Sequence, residues 1–318
     1  MSWTKLWSYA SISPNSLRPL AHSVQNTSEI EHIPMQSESR ETGKTMSMYE
    51  TVLIDKSERV ATLILNRPAK KNAMSPQLHA DVTAALEELR YDDETKVVVI
   101  TGGGDAFCAG MDLKEFFHEL KEEPARYDQV LRMATEWRGR TLRYFPKPTI
   151  AMVNGYCFGG AFSIVESCDI AIAAHEATFG LSEINFKGFP GGSVSKSLAN
   201  LLRPRDALFY ALTGRRFNGK RAAEIGFVTF SVPLADLKEE TMAVAAEIAG
   251  KDAAALRATK DGYRFSLEMS WEASMNYTLA KEVELASRQQ VGWKEEGVGD
   301  FVKGKFKPGL EGHETIKR

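Results

Sequence analysis

Ile150–Gly188 reads IAMVNGYCFGGAFSIVESCDIAIAAHEATFGLSEINFKG, and the order of its elements decides the fold. An apolar run, Thr149 to Val153, enters an Asn154-Gly155 turn. A second pair, Gly159-Gly160, opens the short apolar segment Ala161 to Val165. A strand-like run, Cys168 to Ala174, then leads into a loop that carries Glu183. The pattern predicts strand, glycine turn, helix start, strand and acidic loop. Glycine lets the backbone approach a ligand closely, and the free N–H groups of a helix start suit an anion. Such a stretch can hold an oxyanion with one acid/base group beside it.

Upstream, Thr51 to Asp55 and Val60 to Leu65 read as a hairpin around Lys56-Ser57-Glu58-Arg59. The loop LNRPAKKNAMS, Leu65 to Ser75, precedes Pro76, which suits a helix start, with Leu78, Val82, Ala85, Leu86 and Leu89 at helical spacing. KVVVIT, Lys96 to Thr101, is a β-branched run of the buried-strand type, followed by Gly102 to Gly104 and AFCAGMDLKEFF. A long helix is expected from Pro124 to Arg143. Beyond Gly188, segments 193–202, 205–213, 219–226, 234–249, 253–266 and 270–291 have amphipathic helical spacing, and Val228 to Val232 is the one strand expected among them. The fold class is therefore α/β, with a core over residues 48–232 and a helical C-terminal part, 233–318, packed on it. Residues 1–47, rich in Ser, Asn, Pro and His, show no period. They read either as a disordered leader or, since no Asp or Glu precedes Glu29 while Lys5 and Arg18 are present, as a transit peptide.

With 318 residues, 43% of them hydrophobic, the chain can bury a sizeable core. A net charge of -2 offers no electrostatic case for nucleic acid or an anionic membrane. No apolar run approaches the about 18 residues that a membrane span needs. Cys108, Cys157 and Cys168 form no CxxC pair, which fits core filling in a reduced interior. A cytoplasmic chain is expected, or a mitochondrial one if the leader is a transit peptide.

Several near-motifs fail on chemistry. GRRFNGKR, Gly214 to Arg221, has Arg221 where a phosphate loop needs Ser or Thr, and Phe107 stands where a dinucleotide fingerprint after Gly102 needs glycine. Phe179 occupies the place of the second histidine of a zinc helix begun by His175-Glu176, so no metal site is expected. Glu183 lies among Phe179, Leu181, Ile184 and Phe186. If it faces an apolar cleft, its pKa rises toward that of a working acid/base; a solvated loop carboxylate is the alternative.

Four stretches together resemble the crotonase, or enoyl-CoA hydratase/isomerase, superfamily: Leu65-Asn66-Arg67-Pro68 with Asn72-Ala73, AFCAGMDLKE (Ala106 to Glu115), NGYCFGGAFS (Asn154 to Ser163) and ATFGLSEIN (Ala177 to Asn185). The resemblance implies a spiral of β-β-α units, an acyl-CoA substrate with no cofactor beyond its CoA moiety, and a homotrimer or homohexamer. It implies an oxyanion hole from the backbone N–H groups of Met111 and Gly160, and catalysis by Glu183. Lys70, Lys71 and Ala109 are expected to face CoA. Within the superfamily the wording is most similar to hydroxycinnamoyl-CoA hydratase-lyases, which hydrate a feruloyl- or coumaroyl-type thioester and cleave the adduct to an aromatic aldehyde and acetyl-CoA. Ser163 stands where ordinary hydratases carry a first glutamate, and it is expected to position water or product. The two tyrosines that grip the substrate phenol are replaced by Phe116 and Leu279, with Tyr277 two residues from the latter. Hydration or isomerisation of an apolar enoyl-CoA is the alternative activity, and a catalytically idle binding or assembly member is the alternative of another class.

Overall fold

The computed structural model describes residues 49–289 and 291–305; the expected leader, 1–47, lies outside the described residues. The chain opens with the predicted hairpin, β1 (Val52–Ser57) antiparallel to β2 (Val60–Leu65), in the register Val52↔Leu65. Helix α1 (Pro76–Tyr91) starts as its sequence requires: Ser75 accepts a hydrogen bond from the Leu78 N–H, and Pro76 takes the first turn, where no intrahelical donor is needed. Its stripe Leu78, Val82, Ala85, Leu86 and Leu89 is buried.

Three repeats of one plan follow. A long buried strand crosses the molecule, a three-residue strand turns off it, and helical chain returns. The first pairs β3 (Val97–Gly102) with β4 (Ala106–Cys108), followed by α2 (Pro124–Glu136). The second has β5 (Thr149–Val153), β6 (Tyr156–Phe158) and α3 (Ala161–Ser167). The third has β7 (Ile170–Ala174), β8 (Thr178–Gly180), α4 (Val194–Leu201) and α5 (Pro204–Thr213). The short β9 (Phe217–Asn218), α6 (Gly219–Glu224) and β10 (Phe230–Val232) close the series. The long strands form a six-stranded sheet, β1-β2-β3-β5-β7-β10, parallel from β2 onward; the short ones form a second sheet, β4-β6-β8-β9. This is the expected spiral of β-β-α units. The second sheet is not legible in the sequence, because three residues are too few to show alternation.

The helical C-terminal part begins inside the core. Helix α7 (Leu237–Ala249) buries Leu237, Thr241, Ala245 and Ala249 against the long strands, and α8 (Ala253–Ser266) and α9 (Trp271–Arg288) follow. Arg264 of α8 donates from Nη2 to the carbonyls of Ser167 (3.1 Å) and Cys168 (2.8 Å), so it braces the tail of α3. The tail is held a second time by the buried pair Arg143–Glu166. One expectation is corrected here. The helix expected to run from Pro124 to Arg143 ends at Glu136 and widens into a π-helical turn, Trp137–Thr141, which buries both Trp137 and Arg138. Gly139, a weak helix former, lies in that turn, and single π turns of this kind interrupt α-helices. No helix among the described residues is long and apolar enough to cross a membrane.

Candidate active site

Met111 follows β4 through Gly110, whose φ of +92° belongs to glycine, and a Cβ there would lie 2.8 Å from the Phe158 carbonyl oxygen. Met111 then forms a one-residue parallel bridge with Met74: the Met74 N–H donates to Gly110 O (2.8 Å) and the Asp112 N–H donates to Met74 O (3.0 Å). That pattern uses the amides on either side of Met111 and leaves its own N–H without a partner among the described residues. The second arm mirrors the first. The Gly159 N–H donates to Gly180 O (3.0 Å), α3 begins at Ala161, and the Gly160 N–H between them is left free. The two arms adjoin, since a Cβ on Gly160 would sit 3.5 Å from Met111 Cγ. Two unsatisfied donors side by side are uncommon in a fold that pairs nearly all its buried amides, and they suit one carbonyl or enolate oxygen.

The loop carrying Met111 is fixed by residues that the sequence marked only through the resemblance. Arg67 donates to Asp112 (3.0 Å), Glu115 (2.5 Å) and the Ala73 carbonyl (2.6 Å). Burial raises the Asp112 pKa, but the Glu115 N–H and the Arg67 guanidinium outweigh it and hold the carboxyl below its ordinary value. Asn72, fully buried, accepts from the Arg67 N–H (2.8 Å) and donates to Gly103 O (2.9 Å) and Ala106 O (2.8 Å). The Leu65-Asn66-Arg67-Pro68…Asn72 motif is thus the clamp that sets the first arm.

Glu183 starts a 3-10 turn, Glu183–Phe186, straight after β8. Its Oε1 faces Gly159, where φ is +50° and a Cβ would come within 3.0 Å of that oxygen. Its Oε2 is buried with no hydrogen-bond partner, and no cation pairs with the carboxylate among the described residues. Burial therefore raises its pKa above the ordinary carboxylate value. The expected apolar surroundings need correcting: Ile184 and Phe186 point outward, Phe186 being 66% exposed, because the chain coils at Glu183 instead of continuing the strand. Desolvation comes from the glycine strap and the short sheet.

Ser163 is fully buried on α3. Its hydroxyl donates to the Gly160 carbonyl (2.7 Å) and accepts from Arg138 Nη1 (3.3 Å). Phe116 is also fully buried, in a small apolar cluster with Leu120, Val130, Tyr127 and the side chain of Met111, its ring 5.0 Å from that of Tyr127. The other two expected pocket residues do not join it within the described chain. Tyr277 packs on Phe265 and Lys281, and Leu279 points outward from the opposite side of α9. Lys70 is exposed; Lys71 pairs with Asp105 and covers the Tyr156 ring, and its carbonyl accepts from the Ala109 N–H (2.9 Å), so Lys71 and Ala109 adjoin. Among the described residues no group of three or more His, Cys, Asp and Glu can hold a metal ion. A cavity of about 500 Å³ near Asp169, Lys260 and Arg264 touches none of Met111, Gly160 and Glu183.

The family model for enoyl-CoA hydratase/isomerase matches residues 55–309. The chain is 44% identical over 274 residues to a hydroxycinnamoyl-CoA hydratase-lyase of Pseudomonas fluorescens, covering 84% of this chain and 99% of that protein. It is 34% identical over 229 residues to a probable enoyl-CoA hydratase of Mycobacterium tuberculosis, covering 72% and 87%. Among solved structures, an enoyl-CoA hydratase from Bacillus anthracis superposes with a TM-score of 0.73 at 28% identity over 80% of this chain and 97% of its own. One from Mycobacterium smegmatis superposes with a TM-score of 0.73 at 29% identity, again over 80% and 97%.

Proposed function

The chain belongs to the enoyl-CoA hydratase/isomerase family and is an enzyme of lyase type, and from that premise we propose that it hydrates a hydroxycinnamoyl-type enoyl-CoA and cleaves the adduct to an aldehyde and acetyl-CoA. The observation that carries this reading is the pair of free N–H groups, Met111 and Gly160, beside the unpaired carboxyl of Glu183. The thioester oxygen accepts from both amides. Glu183 removes a proton from water as the water oxygen bonds to Cβ, and the double-bond electrons move toward the thioester oxygen. The protonated Glu183 then delivers that proton to Cα. For cleavage Glu183 takes the proton of the new β-hydroxyl, the electron pair of the broken O–H bond forms the aldehyde C=O, and the Cα–Cβ pair becomes the enolate of acetyl-CoA. Proton return to Cα releases acetyl-CoA and restores the base. Each amide is worth roughly 3 kcal/mol at the enolate stage.

Ser163 in this scheme steadies Gly160 through its carbonyl and does not touch water, a role supported by its burial. Lys70, Lys71 and Ala109 border the CoA path. The second reading, hydration of an apolar enoyl-CoA, is favoured by Phe116, which offers no hydrogen bond in its apolar cluster. A homo-oligomer, trimer or hexamer, is supported by the exposed stripe Trp271, Met275, Leu279 and Val283 at four-residue spacing on α9, with Trp271 83% exposed. The test is turnover of 4-hydroxycinnamoyl-CoA and of a straight-chain enoyl-CoA, with acetyl-CoA, aldehyde and 3-hydroxyacyl-CoA all measured. Aldehyde and acetyl-CoA in equal amounts from the first support the reading; turnover of neither refutes it.

A further inference from the structure

Arg138 is 5% exposed, yet no carboxylate lies within ion-pair distance of its guanidinium among the described residues. The other buried cations near the site are matched: Arg67 by Asp112 and Glu115, Arg143 by Glu166, Lys260 and Arg264 by Asp169. The neighbours of Arg138 carry no negative charge either. Burial, and secondly Arg138 itself, push the His79 pKa down to about 3, and burial pushes the Cys108 thiol up to about 12, so both are neutral near pH 7. Burial also draws Arg138 down, but only to about 10, which leaves it charged. A desolvated cation without a counter-charge is costly, and folds seldom keep one without use.

Its hydrogen bonds lead to the second oxyanion arm. Nε donates to Ala134 O (2.8 Å), and Nη1 donates to Gly160 O (3.0 Å) and Ser163 Oγ (3.3 Å), while Nη2 has no partner among the described residues. Nη1 lies so close that a Cβ on Gly160 would sit 2.7 Å from it. The Gly160 carbonyl therefore accepts from both Arg138 and Ser163, while the N–H of the same residue is the free donor of the second arm. An acidic residue in place of Ser163 would lie against the guanidinium and cancel it; serine holds the same carbonyl and leaves the charge uncancelled.

We propose that Arg138 is the electrostatic positioning residue of the oxyanion hole: acting through Gly160, its uncompensated charge favours the negative thioester oxygen of the enolate over the neutral carbonyl of the bound substrate. The proposal rests on the thioester reading above. A charge that helps the transition state and not the ground state shows in kcat and leaves KM alone.

The test compares R138K, which keeps charge and donor, with R138Q, which keeps a donor for Gly160 O and removes the charge. Each is assayed for kcat and KM on 4-hydroxycinnamoyl-CoA, and for the red shift of that thioester's absorption on binding, which reports carbonyl polarisation. Expected are an R138K enzyme within a few-fold of the parent and an R138Q enzyme with kcat lower by about tenfold to a hundredfold, near-parental KM and a diminished red shift. A parental kcat and red shift in R138Q, or equal losses in R138K and R138Q, would overturn the proposal, since the arginine is then only a peg or a packing element. Should R138Q fail to fold, S163D decides: it sets a carboxylate against the intact arginine, and an undiminished red shift overturns the proposal. A parent enzyme that binds thioester with no red shift overturns the oxyanion reading of the site together with the proposal, whereas a red-shifted parent matched by R138Q overturns the proposal alone.

Discussion

Replacing Glu183 by glutamine removes the proton carrier and keeps its shape. The neutral amide meets the same strap at Gly159, so the fold is not asked to move. The size of the loss follows from what surrounds the carboxyl. Its Oε2 has no hydrogen-bond donor and no ion-pair partner, so no second titratable group is in place to relay the proton. General acid–base catalysis is worth about 10²- to 10⁴-fold, and without a substitute carrier E183Q is expected near the middle, about 10³-fold down in kcat, or about 4 kcal/mol on the barrier. The pH behaviour carries a sign. Burial raises the folded-state pKa above the unfolded value, so folding favours the protonated form and stability is lost as pH rises through the interval between the two. E183Q should therefore melt higher than the parent at pH 8 and level with it at pH 4. The parent's kcat/KM should rise with pH through that raised pKa, and this limb should vanish in E183Q. Steady-state kinetics and calorimetry across pH 4 to 9 check all three. A variant keeping a tenth of the parental kcat, or gaining stability only in acid, would refute the assignment.

Gly110→Ala forces an L side chain to φ +92° and a Cβ to 2.8 Å from Phe158 O; a loss of about 1–3 kcal/mol in stability and a steep fall in kcat are expected, read by denaturant melts and turnover. Arg67→Met leaves Asp112 buried without its cation and should cost about 3 kcal/mol at pH 7. Because the Asp112 pKa is depressed in the fold, that cost should shrink as pH falls below the ordinary carboxylate value, and melts at pH 3 against pH 7 check it. Phe116 cannot donate to a phenol, so kcat/KM for 4-hydroxycinnamoyl-CoA should not exceed that for cinnamoyl-CoA, and should fall about 5- to 150-fold below it where the hydroxyl is buried unpaired at a cost of about 1–3 kcal/mol. A hundredfold preference for the phenol, with aldehyde released, would count against that view of the pocket.

The long strands were legible because Val97 to Thr101 and Thr149 to Val153 are β-branched or apolar throughout, as strands covered on both faces must be. Gly159, Gly160 and Glu183 stood out as a candidate site because glycine pairs and a carboxylate among apolar residues are local signals. What was missed depends on distant chain. The Met111 amide was expected only through the resemblance, since the bridge from Met74 that flanks it joins residues far apart in the chain. Asn72 looked like part of a loop, and its reason, φ +55° with three hydrogen bonds converging on its side chain, is tertiary. Arg138 fell inside the helix expected from Pro124 to Arg143 and was not singled out, and the π-helical turn that hides it leaves no periodic trace beyond Gly139. Tyr277 and Leu279 fall on different sides of α9, as their two-residue spacing dictates, and the described chain brings neither to Phe116.

The grip of Arg264 on the tail of α3 bears on when the enzyme comes into being during its own synthesis. The strands and both oxyanion arms leave the ribosome first, yet the Ser167 and Cys168 carbonyls wait for a guanidinium encoded roughly a hundred residues after Gly160, a delay of about 5 to 20 s at ordinary elongation rates. Until then those carbonyls are served by water, and the tail of α3 is held only through Glu166, by Arg143 and Asn200. A nascent chain stalled before α8 would hold every residue proposed for the chemistry and still lack the Arg264 brace on the tail of α3. Helix α8 thus completes the hold on α3 only after the strands of the core have been made.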